Sequence, residues 1–293
     1  MDAKIWKVVR SAIRSVTRSA DKACRRPQYS DSLILSMYIW AVWHDRPMKW
    51  ACTRESNTHF YRPRVLPSPS QFSRRVRTPR FQRLLQALHE RLAASEYPQT
   101  VAYLDGKPLP VSIASRDPDA KIGWCTKGFA RGYRLHACVT KDLRIGSFCV
   151  TGLNEGEARV AREQLSIAAS VELVLADANY DSGRTYAKLE RDGQQLLTPL
   201  KRIAQSKRAW DRMPIARQIA ANLQRGLGAA YRALLEPRKT IERVFSALTT
   251  FGGGLAPLPA WVRRTHRVQS WVTAKIIIYH ARLNVRNAAQ TAT

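Results

Sequence analysis

Near residue 100 the hydrophobic period of the chain changes, and this change limits the folds open to it. Upstream, apolar residues recur at helical spacing. Ile5, Val8, Val9, Ala12, Ile13 and Val16 share one face of residues 1–20, with Lys7, Arg10, Arg14 and Arg18 on another. The run "DSLILSMYIWAVW" (31–43) opens at Asp31, a candidate N-cap, and is apolar enough to be core. Arg46-Pro47 and "YRPRVLPSPS" (61–70) break the pattern. Ser68-Pro69 and Thr78-Pro79 then offer cap-plus-proline starts to two more helices. The second carries Phe81, Leu84, Leu85, Leu88 and Leu92 on one face.

Downstream, short β-type runs take over: "TVAYLDG" (100–106), "YRLHACV" (133–139) and "RIGSFCV" (144–150). Thr140-Lys141-Asp142-Leu143 reads as a hairpin between the last two. A helix over 154–170, a strand "VELVLADA", a helix "SGRTYAKLERDG" and a strand "QQLLTPL" complete an α/β layer with hairpin-linked strands first and crossover units after. Residues 200–236 read as basic and irregular. Residues 237–251 read as a helix that starts at Pro237 and is ended by Gly252-Gly253-Gly254. Residues 267–286 read as a closing helix. The expected division is an all-α, DNA-binding domain over 1–97 and an α/β domain over 98–293, with the basic stretch around 200–236 as an insertion.

Charge narrows the partner. The chain of 293 residues has 49 Lys+Arg against 22 Asp+Glu, a net charge of +27. The excess is uneven: residues 1–100 carry +12, 101–200 carry +1 and 201–293 carry +14. A polyanion suits such a surface, because each cation placed on a phosphate releases a counterion. A solubilising shell and an anionic membrane surface are the competing readings. Five cysteines without a CxxC pair fit neither a zinc site nor a disulfide framework, and they point to a reducing compartment. The longest apolar run, 33–43, has 11 residues, where a membrane span needs ~20. Arg74, Arg75 and Arg77 crowd one short helix, which makes a helix-turn-helix-like DNA contact a reading to test.

The carboxylates carry the chemistry. Asp105 ends the first β-type run and Asp177 ends the fourth. Carboxyl ends of neighbouring strands in an α/β sheet share a ligand crevice. Two carboxylates there repel each other unless a cation joins them, and oxygen-only ligands suit Mg²⁺ or Mn²⁺. A third acid would help to hold a second ion. Among the three acids of residues 201–293, Glu242 alone lies in a periodic helix, one turn after Arg238. Each residue also has a structural reading. Asp105-Gly106 suits a turn, Asp177 suits a helix cap, and Glu242 suits an i,i+4 pair with Arg238. Asp181, four residues after Asp177, is expected to cap the next helix, and Tyr180 to pack beneath the loop. Trp124 lies among basic residues as a stacking platform or as packing. His136 reads as a structural histidine.

With these residues in place, the chain resembles bacterial insertion-sequence transposases of the DDE type, whose catalytic core is RNase H-like. The resemblance runs from about Leu33 to Asn287 and rests on "YLDGKPLPV", "TKGFARGYRLHACV" (126–139), "TGLNEGEA" (151–158), "LADANYDS" and "RKTIERVFSAL" (238–248). It implies an RNase H-like mixed sheet flanked by helices and preceded by an all-α domain. It also implies Asp105, Asp177 and Glu242 as divalent-metal ligands, with Mg²⁺ as the ion and Mn²⁺ as a substitute. Cleavage at the inverted-repeat ends of an element and strand transfer into target DNA would follow, by a homodimer on double-stranded DNA in the bacterial cytoplasm. Arg74, Arg75, Arg77, Lys127, Arg238 and Arg243 are the expected DNA contacts. The family's third motif often has a Tyr three residues before the Arg and a Lys seven after the Glu. Here those positions hold Leu235 and Thr249, with Tyr231 or Arg243 as substitutes. Two other readings compete: a transposase relic that binds DNA without chemistry, and an RNase H-like nuclease acting on RNA or hybrids.

Overall fold

The computed structural model describes residues 2–20, 28–125, 128–201, 206–250, 254–255 and 258–290. It divides into two compact units, one of residues 1–94 with 247–293 and the other of residues 95–246. Residues 247–293 fall in the first unit with the N-terminal helices.

The first unit is helical: α1 (Ala3–Ser19), α2 (Asp31–Trp43), α3 (Met48–Ala51), α4 (Pro69–Val76), α5 (Pro79–Ala93) and the C-terminal helix α12 (Thr265–Gln290). α1, α4 and α5 are amphipathic and bury one stripe each. α2 is apolar on nearly every side, and the middle of α12 is buried on every side although it includes Thr273, Lys275 and His280. α12 accordingly packs on α5, α1 and α2. Trp40 of α2 stacks against Trp6 and Tyr61, and its indole N–H donates to the Ser56 carbonyl at 2.9 Å. The Ser68 and Thr78 caps form as expected, the first as a full capping box with Gln71. α2 is capped by Ser30 rather than Asp31. Asp31 instead holds Arg75 at 2.6 Å and Arg80 at 2.8 Å, since a carboxylate flanked by two cations gains more from them than from one N–H.

The second unit is built on β1 (Val101–Pro110), β2 (Lys121–Cys125), β3 (Gly128–Thr140), β4 (Ile145–Gly152), β5 (Leu173–Ala176) and β6 (Gln195–Leu197). β1 pairs antiparallel with β3, which pairs antiparallel with both β2 and β4; β1 pairs parallel with β5, and β5 with β6. β5 is short and apolar because a central parallel strand is covered on both faces. The Thr140–Leu143 hairpin is present, with Leu143 at φ +69°. α6 (Glu157–Gln164), α7 (Gly183–Arg191), α8 (Lys207–Asp211), α9 (Ile215–Leu227), α10 (Ala229–Leu235) and α11 (Thr240–Thr250) flank the sheet. The expected RNase H-like order is present, with antiparallel strands β1, β3 and β4 followed by two parallel crossovers, and β2 is an additional antiparallel strand.

Three local readings are corrected. β1 does not stop at Asp105 but continues to Pro110, because β3 supplies partners along its whole length. Residues 121–125, to which the sequence pattern assigned no element, form the strand β2. The stretch 200–236 is largely helical where described: α9 buries Ala216, Ala220 and Ala221, an alanine seam too weak in hydrophobicity to stand out in the sequence. The expected Gly252-Gly253 stop lies outside the described residues.

In the first unit, Lys275 of α12 has a side chain only 1% exposed, and it donates to Asp45 at 2.5 Å beside the Trp271 ring. Burial pushes the Lys275 ammonium below its ordinary pKa. Asp45 is 48% exposed and stays hydrated without its partner. Lys275→Met should therefore leave stability within ~1 kcal/mol of wild type or raise it, since apolar replacement of a buried ion is often neutral or stabilising. Urea denaturation tests this, and a loss of ~3 kcal/mol or more would show the ion pair to be a net stabiliser.

Candidate active site

The site follows from one register. The parallel ladder between β1 and β5 runs from Val101 opposite Leu173 to Leu104 opposite Ala176. The next residue on each strand is an aspartate, Asp105 and Asp177. Neighbouring strands lie ~4.8 Å apart, so the two carboxylates leave the ladder side by side at its carboxyl end. Asp105 stays in β1 opposite Ala137 of β3, and its Oδ1 accepts the Gly106 N–H at 2.8 Å. Asp177 leaves β5 and caps the single 3₁₀ turn Ala178–Tyr180. Its Oδ1 accepts the Asn179 N–H at 2.8 Å and its Oδ2 accepts the Asn179 side-chain amide at 3.1 Å. The capping role considered for Asp177 is therefore present, and it orients the carboxylate without burying it.

Glu242 lies in the first turn of α11 and is exposed. Its charge and that of Asp177 bear on Asp105, with Arg238 opposing them. Burial is the largest cause that pushes the Asp105 carboxyl from 3.8 up to about 6; the Gly106 N–H pulls it down, and the Asp177 and Glu242 charges add to the rise. Lys107, over the Phe245 ring at 5.8 Å, is itself pushed down by burial. Three carboxylates are thus drawn toward one region with partial compensation, and all their donors are oxygens. That chemistry fits a hard divalent cation. Among the described residues, no three His, Cys, Asp or Glu side chains are grouped tightly enough to hold a metal as they stand.

One residue of this region was not singled out in the sequence. Glu157, in the first turn of α6, is 9% exposed. It accepts Arg134 Nη1 at 3.0 Å and the Asn179 side-chain amide at 3.3 Å. Burial above all, with the Asp177 and Asp105 charges, pushes its carboxyl from 4.5 up to about 7 against the pull of Arg134. The available signal was its spacing: Glu157, Val160 and Ala161 are the buried residues of α6, an i, i+3, i+4 face that carries an acid at its first position.

The remaining expectations divide. Asp181 does not cap α7, whose N-cap is Ser182 with no side-chain cap bond. Asp181 is buried and receives Arg217 on both oxygens, at 2.9 and 3.2 Å, together with the Lys201 N–H at 2.9 Å. Tyr180 is fully buried, as expected. His136 is buried, bonded to Thr151 Oγ1 at 2.9 Å, and pushed down to about 3 by burial and by Arg134, so it stays neutral. Tyr231 is buried with its hydroxyl on the Thr198 carbonyl at 2.8 Å, which removes it as a surface substitute at the Leu235 position. Arg243 is exposed on α11 and Arg238 is half-buried in the preceding 3₁₀ turn. In the helical unit Arg74 and Arg77 are exposed, whereas Arg75 is held by Asp31 and by the Tyr29 carbonyl. Lys127 lies outside the described residues. Trp124 stands 62% exposed on β2, edge-on to Phe129.

Two outcomes follow from these energetics. A carboxylate whose folded pKa is raised favours its neutral form. The stability it contributes is complete below pH about 4 and is lost as pH rises through about 6. Asp105→Asn should therefore stabilise the metal-free protein at pH 8 by up to ~3 kcal/mol, a gain that vanishes near pH 4. Thermal unfolding at the two pH values checks this, and a destabilised variant at pH 8 would contradict it. Asp181→Ala should cost ~3 kcal/mol, because it removes the buried carboxylate that receives Arg217 on both oxygens and the Lys201 N–H. Denaturant titration measures that loss, and a change under ~1 kcal/mol would refute a structural role for the pair.

The model of the Transposase DDE domain family matches residues 96–277, more than half of the chain. No curated protein matches it. That span takes in the whole sheet, both strand-end aspartates, Glu157 and Glu242, and the chain belongs to the DDE transposase family.

Proposed function

We propose that the chain cuts the ends of an insertion sequence and joins them to target DNA by metal-dependent phosphoryl transfer, with Asp105, Asp177 and Glu242 as the ligands. The observation that carries this reading is the β1–β5 register, which sets two carboxylates side by side at the carboxyl end of a parallel ladder, with the Glu242 charge bearing on them. Asp105, Asp177 and Glu242 would hold two Mg²⁺ or Mn²⁺ ions, which would supply activation of a water or 3′-hydroxyl and stabilisation of the leaving oxygen. The protein supplies the placement. Asp105 is fixed by β1 and the Gly106 N–H, and Asp177 by the Asn179 turn. Glu242 sits on a helix edge that also presents Arg243, a cation for the phosphodiester backbone. The helical unit, with exposed Arg74 and Arg77, is the proposed DNA-binding element, and two copies would hold two element ends. No described helix is long and apolar enough to cross a membrane.

Asp105→Asn, Asp177→Asn and Glu242→Gln should each abolish Mg²⁺- or Mn²⁺-dependent nicking and joining of DNA that carries the element's inverted repeats. DNA affinity should be unchanged. Cleavage that persists in all three variants would remove the assignment. Wild-type protein that binds DNA in a salt-sensitive manner and yields no product with either ion would favour a relic that only binds. A preference for RNA–DNA hybrids without joining would favour a nuclease.

A further inference from the structure

We infer that Glu157 is a positioning residue for Asp177, acting through the side-chain amide of Asn179; the inference rests on the metal-ligand reading of Asp105 and Asp177. The Asn179 amide nitrogen has two hydrogens and meets two carboxylates, Glu157 Oε2 at 3.3 Å and Asp177 Oδ2 at 3.1 Å. Its carbonyl oxygen faces Lys201 Nζ at 3.3 Å. Both donors and the acceptor are therefore engaged, and the amide has one orientation that satisfies all three. In that orientation it holds Asp177 Oδ2, while the Asn179 backbone N–H holds Oδ1. Each Asp177 oxygen gives one lone pair to Asn179 and keeps another for a cation.

Glu157 is fixed from its other side. Arg134 donates Nη1 to Oε1, and with Nη2 it binds the Trp124 carbonyl at 2.7 Å, which ties the clamp to β2 as well as β3. Oε1 also occupies the space beside Gly106. A Cβ on that glycine would stand 2.6 Å from it, nearer than atoms approach without a shift. Glycine at 106, next to Asp105, is thus the residue that lets Glu157 close over β1 and reach Asn179. One buried carboxylate so touches the neighbour of each aspartate, Gly106 beside Asp105 and Asn179 two residues beyond Asp177. A residue serving only to stabilise α6 would need the Arg134 pair and not the Asn179 contact.

Asn179 is exposed, so Asn179→Ala cuts this link without opening the core. Glu157→Gln keeps an oxygen for Arg134 but turns a donor toward the Asn179 donor. Mn²⁺ binding to the full-length, DNA-free protein, followed by electron paramagnetic resonance of the free ion, is the readout, with thermal unfolding alongside. Each single variant should weaken Mn²⁺ binding about 10-fold or more, the range seen when groups that orient metal ligands are removed. The double variant should be no weaker than the worse single, because both act through one link. Asn179→Ala should keep the wild-type unfolding temperature. Wild-type Mn²⁺ affinity in both single variants, while Asp105→Asn loses it, would overturn this inference alone. Equal Mn²⁺ binding by wild type and Asp105→Asn would overturn the metal-ligand reading and this inference with it.

Discussion

Everything at the site depends on a backbone ladder four residue pairs long. β1 and β5 run parallel, and their pairing ends at Leu104 and Ala176, so the aspartate after each is delivered to the same edge. The hydrogen-bond register does this with no contribution from the carboxylates, which repel one another. The apolar residues Ala102, Tyr103, Leu104, Val174, Leu175 and Ala176 are all buried, and their burial holds the charges together. Shifting one strand by a single residue would exchange the faces its side chains meet and move its aspartate to the other side of the sheet. The same packing that stabilises the sheet therefore fixes the spacing of the acids.

The cost of that arrangement shows in the titration of its members. Asp105 and Glu157 are both pushed up, chiefly by burial, and each feels the other carboxylates. Arg134 and Arg238 offset part of the repulsion from opposite ends. Repulsion within such a cluster is relieved by a cation, which supports the proposed metal-dependent site. By contrast, Asp181 lies four residues from Asp177 and is fully satisfied by Arg217 and the Lys201 N–H. Two aspartates in one short stretch thus divide into one bonded by the neutral donors of Asn179 and one paired with an arginine.

Much of this was legible in the chain itself. Apolar runs that lead into Asp105 and Asp177 marked β1 and β5, because strand periodicity and burial are local properties. The caps at Ser68 and Thr78 were legible for the same reason. The errors fell where the deciding partner is distant in sequence. Asp31 turned from a cap to an ion-pair partner because Arg75 and Arg80 reach it from 44 and 49 residues away. Asp181 did the same because Arg217 approaches from 36 residues away. The helix α9 was hidden because its buried positions are alanines, while its larger apolar residues Ile215, Ile219 and Leu227 stay exposed.

The sequence by itself determined the change from helices to strands near residue 100, the strongly basic flanks and the apolar runs that lead into Asp105 and Asp177. These follow from side-chain chemistry read along the chain. Only the tertiary structure decided that α12 joins the helical unit and that Tyr231 is spent on the Thr198 carbonyl. It alone decided that Glu157 closes over Gly106 onto Asn179. Each of these depends on which groups meet across 20 or more residues of intervening chain, and such meetings are fixed by packing and register rather than by any local pattern.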